Sequence, residues 1–282
     1  MSNQKAILIT GCSTGIGLCC AQQLKARGYR VFASARKVED VKMLQKLGLE
    51  SLQLDLASSE SIQTAVEQIL QLTDGYLYGL FNNAGYGQPG AVEDIRRSVL
   101  QEQFETNVFG TQELINLVIP VMRQQGYGRI IYHGSVLGLI SLSFRGAYNA
   151  SKYALEGLTD TLRLELYGTG IEVSIIEPGP ITSNFRKNAF QKYQENIDKE
   201  NSFFKKNYEG MEARLKKKGP AAPFTLPPEA VYRKLQHALE SKHPKAHYYV
   251  TFPTYLFATL KRILPARGLD WVLRRVSSEE NQ

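Results

Sequence analysis

From Lys5 to Glu177 the chain alternates short apolar runs rich in β-favouring residues with longer segments of helical periodicity. AILIT gives way to helix-compatible sequence from about Gly15, YRVFAS to a second helix, and SLQLDL to a third. The series continues with LYGLFNNAG, a long helical stretch through Met122, GRIIYHGS, a helix over about Tyr148 to Tyr167, and IEVSIIEPG. Continuous apolar strands separated by helices describe a parallel sheet buried on both faces. The expected fold is therefore α/β: a doubly wound, Rossmann-type parallel sheet of about seven strands with helices on both faces. Each predicted strand ends at Gly, Asn, Ser or Pro, and in open parallel sheets ligands bind beyond the carboxyl ends of the strands. Chemistry is expected at those residues.

Residues 184–226 break the alternation. They are rich in Lys, Asn, Gln and aromatics (Phe185, Phe190, Tyr193, Phe203, Phe204, Tyr208) and end in PAAPFTLPP, which predicts a helical insertion. Helical pattern resumes at Pro228, a favourable first-turn residue, runs to about Ser241 and is followed by strand-like HYYVTF. At 282 residues and 43% apolar composition, one large domain is expected. Its parts are a core over 1–183, the insertion 184–226, a final helix and strand over 227–252, and a basic amphipathic segment over 253–282.

Charge and cysteine usage narrow the classes. Cys12, Cys19 and Cys20 are the only cysteines, so a disulfide framework is excluded and a reducing, cytoplasmic setting is expected. The apolar stretch near the N-terminus is too short for a signal-peptide core, and no run of 18 apolar residues offers a spanning helix. Residues 184–282 hold 19 Lys+Arg against 10 Asp+Glu, whereas residues 1–183 hold 15 against 17. A surface of that kind attracts anionic lipid, nucleic acid or an acidic partner, and is equally what a solvated helical face looks like. Lys216-Lys217-Lys218 lacks the basic-aromatic module that nucleic-acid binding requires. The segment from Pro253 to Arg275, with Trp271 and paired basic residues, has three open readings: a cap on a substrate pocket, a subunit contact, or peripheral contact with an anionic membrane.

After the first strand stands Thr10-Gly11-Cys12-Ser13-Thr14-Gly15-Ile16-Gly17. Glycines there permit a tight turn and close approach of a diphosphate to the N-terminus of the following helix. Leu18-Cys19 replace the Lys-Ser/Thr of a phosphoryl-transfer loop. An acidic residue ending the second strand would bind the 2′-hydroxyl of NAD. The segment reads Ala33-Ser34-Ala35-Arg36-Lys37 instead, so Arg36 stands where a 2′-phosphate would sit, favouring NADPH and leaving NADH open.

Tyr148-Asn149-Ala150-Ser151-Lys152 places a phenol and an ammonium one helical turn apart. Phenols titrate near pH ~10, and the Lys152 ammonium together with oxidised nicotinamide in a partly dry cleft is expected to lower this by about two to three pH units, roughly 3–4 kcal/mol. Ser135 ends one predicted strand, Asn82-Asn83-Ala84-Gly85 follows another, and Asn107 lies in the long helical stretch. Together with the glycine turn, these motifs resemble the short-chain dehydrogenase/reductase family, over about residues 5–183 and more loosely 228–252.

That resemblance implies that Tyr148 is the acid/base, that Ser135 polarises the carbonyl, that Lys152 binds the nicotinamide ribose, and that Asn107 anchors a relay water. It further implies cofactor contacts at Gly11, Ser13, Thr14, Gly15, Ile16 and Gly17, at Arg36, Asp55 and Leu56, and at Asn83, Ala84 and Gly85. Pro178, Gly179, Ile181, Thr182 and Ser183 would close over the nicotinamide. No metal is expected. His133 stands where relatives carry a smaller residue and is expected to point into sheet packing. GYRVFASARK, NNAGYG and EPGP are similar to the retinol and hydroxysteroid dehydrogenase branch and its bacterial aldehyde-reductase relatives. This implies a lipophilic aldehyde, ketone or alcohol as substrate, a substrate lid at 184–226, and relatives that are often homo-oligomers. Two rivals remain: an NADPH-binding regulator without chemistry, against which the complete tetrad argues, and a sugar-nucleotide epimerase, whose different glycine turn and longer C-terminal domain are missing.

Overall fold

The computed structural model describes residues 4–220 and 222–280. The outer ends of the expected 1–183 core and 253–282 segment, and Ala221 of the insertion, lie outside the described residues. In chain order the elements are β1 (Ala6–Ile9), α1 (Gly15–Ala26), β2 (Arg30–Ala35), α2 (Val38–Lys46), β3 (Glu50–Gln53), α3 (Ser59–Leu72) and β4 (Gly79–Asn82). There follow α4 (Arg97–Phe104), a π-helical turn (Glu105–Phe109), α5 (Gly110–Gln125), β5 (Gly128–His133), α6 (Val136–Leu139), α7 (Gly146–Glu165) and β6 (Ile171–Glu177). The chain continues through α8 (Phe185–Asn196), α9 (Lys205–Lys216), α10 (Glu229–Glu240), β7 (His247–Tyr249), α11 (Phe252–Ile263) and α12 (Ala266–Glu280).

The seven strands form one parallel sheet in the order β3-β2-β1-β4-β5-β6-β7. Every residue of β1 is buried because alternate side chains face opposite helix layers. Ala6 and Leu8 join Ile62 of α3, Leu114 of α5 and Leu155 of α7, whereas Ile7 and Ile9 join Leu24 of α1, Leu44 of α2 and Leu235 of α10. Each such leucine or isoleucine contributes about 1.5–3 kcal/mol by leaving water. The strand order reverses direction between β1 and β4, and the crevice opened there lies beyond the carboxyl ends of the strands.

Two boundaries differ from expectation. The last strand stops at Tyr249 and Phe252 begins a helix, because Pro253 has no N–H to continue a ladder and suits a first helical turn. The long helical stretch contains a π-helical turn around Asn107 rather than continuous α-helix. The insertion is two helices, α8 and α9, whose Tyr193, Tyr208 and Met211 pack with Ala91. Arg186 fastens them by donating to the carbonyls of Arg214, Lys217 and Gly219. α11 and α12 close the other side through Phe257 and Leu273 against Leu137, Ile140 and Leu142.

Candidate active site

The turn after β1 is held by the end of β4. Ala84 N–H donates to Thr10 Oγ1 at 2.9 Å, and Asn83 Nδ2 donates to the carbonyls of Thr10 (2.9 Å) and Gly11 (3.1 Å). Gly11 has φ +70° and Gly15 φ +61°, in the left-handed region where glycine is favoured. A Cβ on Gly11 would stand 2.8 Å from Ala84 Cα, and one on Gly15 3.2 Å from Ser183 Cβ. Two segments expected to share a ligand therefore meet directly. Cys12 fills the turn, its thiol donating to Ile9 O and pushed up to about 12 by burial. Arg36 is exposed just beyond β2. Beyond β3, Asp55 accepts from Ala57 N–H at 3.0 Å and Leu56 is buried.

β5 ends at His133, and Ser135 two residues on caps α6 by accepting from Leu137 N–H at 3.1 Å. Its hydroxyl also hydrogen-bonds Tyr148 in the first turn of α7. Lys152, one turn further, is buried and donates from Nζ to His133 O at 2.6 Å, its Nζ lying 5.6 Å from the Tyr148 ring centre. Burial pulls Lys152 down to about 8, opposed by Glu156. The expectation of a lowered phenol counts oxidised nicotinamide as well as Lys152 among its causes. Burial pushes Tyr148 up to about 12, while the Ser135 hydrogen bond and the Arg145 charge act the other way. Desolvation of the phenolate outweighs those two favourable influences, and the lysine charge is directed to a carbonyl.

Asn107 reaches the site through the π-helical turn. Its Oδ1 accepts from Tyr86 N–H (3.1 Å), and Nδ2 donates to Tyr86 O (3.0 Å) and to Ser151 Oγ (3.0 Å). The side chain ties the segment after β4 to the helix carrying Lys152. The His133 ring stacks on Phe81 at 5.8 Å, and the residue also borders the cavity that Tyr148 and Lys152 line. Its Nδ1 lies 2.9 Å from Asn83 Oδ1. With Asn83 Nδ2 donating elsewhere, Oδ1 accepts, so His133 carries its hydrogen on Nδ1. Burial and Lys152 hold it down to about 3, and it is neutral across the working range.

A cavity of about 800 Å³ joins Ile16, Asn83, Gly85, Ser135, Tyr148, Lys152, Pro178, Gly179, Ile181, Thr182 and Ser183. Gly11, Ser13, Thr14, Gly15, Gly17, Arg36, Asp55, Leu56, Ala84 and Asn107 lie outside its walls, on the segments beyond β1 to β4 and in the π-helical turn. Sequence reading placed Phe185 among the aromatics of the lid, and Leu256 and Phe257 in a segment with a pocket cap among its readings, but it did not single out Leu142 or Phe224 as cavity walls, nor the approach of the Phe185 ring to 5.2 Å from that of Tyr148. The available signals were the aromatic density of the insertion and the apolar spacing after Pro253. The 178–183 segment is held by the end of the insertion, Thr182 N–H donating to Leu226 O and Leu226 N–H to Pro180 O.

Residues 5–194 match the family model of the short chain dehydrogenases. The chain belongs to that family. An uncharacterized oxidoreductase of Escherichia coli (strain K12), YbbO, is 44% identical over 271 residues, covering 96% of this chain and 94% of that protein. Human retinol dehydrogenase 8 is 37% identical over 191 residues, 64% of this chain and 60% of that protein. A crystal structure of a short-chain dehydrogenase from Streptomyces avermitilis superposes with a TM-score of 0.76 at 28% identity, covering 99% of this chain and 97% of that one. This dehydrogenase is an NAD(P)-dependent oxidoreductase, and its residues fit such a cofactor. The N-terminus of α1 carries no acidic residue in its first turn and Thr14 makes no side-chain cap, which leaves the first N–H groups to an anion. No helix among the described residues is long and apolar enough to cross a membrane.

Proposed function

We propose that this dehydrogenase interconverts a lipophilic aldehyde or ketone and the corresponding alcohol, with NADP(H) preferred and Tyr148 as acid/base. The reading rests on one observation: Tyr148, Ser135 and Lys152 converge in a cavity whose other walls include Leu142, Phe185, Leu256 and Phe257. Bound NADPH supplies the hydride to the carbonyl carbon. Tyr148, kept neutral by its burial, gives its proton to the carbonyl oxygen while Ser135 hydrogen-bonds that oxygen. Lys152 lends positive charge to the phenolate left behind, and Asn107 positions α7 through Ser151. The glycine turn, Asp55, Leu56 and the 83–85 and 178–183 segments hold the cofactor, and residues 184–226 act as the lid. NADPH consumption with carbonyls of increasing chain length tests this, and turnover that rises with lipophilicity is expected. NADPH binding without turnover of any carbonyl would point to a non-catalytic regulator.

Arg36 is the residue proposed to meet the 2′-phosphate. Arg36→Ser is expected to raise KM for NADPH about tenfold, the worth of one charge-assisted contact, and to leave KM for NADH unchanged. Equal losses with both cofactors would remove Arg36 from that role.

The same reading extends to an enzyme of the reducing cytoplasm that collects its substrate at a membrane. Phe252, Tyr255, Leu256 and Ile263 form an exposed apolar stripe along α11. Lys261, Arg262, Arg267, Arg274 and Arg275 are exposed on α11 and α12. Phe224, Phe252 and Leu256 both border the cavity and face solvent. Aromatic and basic residues together suit an anionic lipid surface. The protein is expected to sediment with phosphatidylglycerol-containing vesicles but not with phosphatidylcholine alone, and Leu256→Glu with Ile263→Glu is expected to abolish this. A stable dimer lost in the same variant, without vesicle binding, would assign the stripe to a second copy.

A further inference from the structure

Four titratable residues recur every fourth position on α7: Tyr148, Lys152, Glu156 and Asp160. At the helical rise they span about 18 Å on one face. The first lines the cavity, and the last has its side chain 48% exposed. Glu156 between them is mostly enclosed. Its Oε1 lies where a Cβ on Gly134 or Gly138 would come within 3.0 or 2.8 Å, a space that only glycine leaves. Gly134 directly follows His133, whose carbonyl holds the Lys152 ammonium. The ammonium and the Glu156 carboxylate therefore flank consecutive residues of one backbone segment.

On its far side Glu156 meets two residues from the sheet. Glu177, the last residue of β6, is fully buried, and His247 opens β7. His247 Nδ1 lies 3.3 Å from either Glu177 oxygen and 3.8 Å from Glu156 Oε2, while Nε2 lies 3.3 Å from Asp160 Oδ1. Glu156 Oε1 and Glu177 Oε2 are buried and accept no hydrogen bond. Buried carboxylate oxygens in that condition call for a proton or a cation.

We propose that Glu156, Glu177 and His247 form a proton route from solvent beside Asp160 to Lys152, so that Tyr148 is reloaded from behind the cavity. The proposal rests on the reading of Tyr148 as the acid. In reduction, the Tyr148 O–H bond breaks and its proton goes to the substrate oxygen. The phenolate then regains a proton from the Lys152 ammonium, the amine from the Glu156 carboxyl group, and that carboxylate from imidazolium Nδ1 of His247. The neutral ring then turns its bare nitrogen to the water beside Asp160, takes up a proton there as imidazolium, and turns back. One proton enters per carbonyl reduced and no electron moves along the route. Glu177 is the positioning residue that holds the imidazolium against Glu156.

The proton affinities suit the transfer. Burial and the neighbouring Glu177 push Glu156 up to about 8, and burial pulls Lys152 down to about 8, which brings the carboxyl group and the ammonium into the same range. Hydrogen bonding to Glu177 raises His247. The groups facing the cluster are Lys152 and Asp160 from α7, Glu177 from β6, His247 and Tyr249 from β7, and Arg262 from α11.

The test measures kcat, KM and the solvent deuterium isotope effect across pH for the holoenzyme and for Glu156→Gln, with the best carbonyl substrate. The amide cannot pass a carboxyl proton. The expected result is kcat about tenfold lower with KM unchanged, a larger isotope effect, and loss of the wild-type fall in kcat as pH rises through about 8. His247→Asn should match it, and the double variant should be no slower than the slower single one, since one route is cut twice. If Glu156→Gln fails to fold, His247→Asn at the more exposed end carries the same expectation. Wild-type kcat and isotope effect in Glu156→Gln would overturn the proposal. So would calorimetric binding of Zn²⁺ or Mn²⁺ alone to wild type but not to Glu177→Gln, which would make the cluster a cation site. Turnover surviving in Tyr148→Phe would instead refute the underlying reading; an inactive Tyr148→Phe beside a fully active Glu156→Gln would sink the proton route alone.

Discussion

Tyr148→Phe is expected to lower kcat by about 10³-fold, ~4 kcal/mol of barrier, with cofactor affinity and fold preserved. The substitution removes one oxygen and keeps the ring, which packs against Phe185 and lines the cavity. Lys152 keeps its bond to the His133 carbonyl, so the lysine is not displaced by the change. Ser135 keeps its cap on α6 through Leu137 N–H. Without the phenol, a developing alkoxide retains only the Ser135 hydroxyl as donor, which can polarise it but not protonate it efficiently. Single-turnover hydride transfer, followed beside a fluorescence titration with NADPH, separates the chemical step from binding. Hydride transfer within about tenfold of wild type would reassign the proton donor, because positioned general acids contribute more than that.

Much of this site is legible in the sequence because it lies at strand ends, where local pattern and chemistry coincide. Ser135, Asn83 and Pro178 each follow an apolar run, and the parallel order of the strands brings those ends together. What stayed hidden depends on partners distant in the chain. No period marks the π-helical turn at Glu105–Phe109, which is defined by Asn107 bridging Tyr86 and Ser151. The lid aromatics read as pocket walls, yet Tyr208 turns away, donating to Asp94 and accepting from Ala91 N–H. The desolvation that raises the phenol to about 12 has no signal in the Tyr-x-x-x-Lys spacing, which shows only the neighbouring lysine. Glu156, Glu177 and His247 are unremarkable one by one and acquire meaning only where α7, β6 and β7 meet.

Gly17→Ala is the second large effect expected, and its cause differs from the one the motif suggests. Gly17 reads as room for a diphosphate, whereas its Cα in fact faces the protein. An added Cβ would stand 2.3 Å from Gly11 O and 2.7 Å from Asn83 Nδ2. Helix propensity favours alanine by up to ~1 kcal/mol, but an overlap with a fixed carbonyl costs about 3 kcal/mol, so the steric effect wins. Relief requires α1 to move off the turn or Asn83 to release the carbonyls of Thr10 and Gly11. Either movement disturbs the N–H groups at the start of α1, and release of Asn83 also frees His133, whose carbonyl holds Lys152. The expected outcome is a Tm lower by roughly 5–10 °C, with NADPH affinity weakened about a hundredfold. Gly157→Ala on α7, where an added Cβ meets nothing within 4 Å, is the control and should be neutral or stabilising. If both variants melt and bind alike, the close approach at Gly17 does not hold the turn, and the glycine there answers to the cofactor alone.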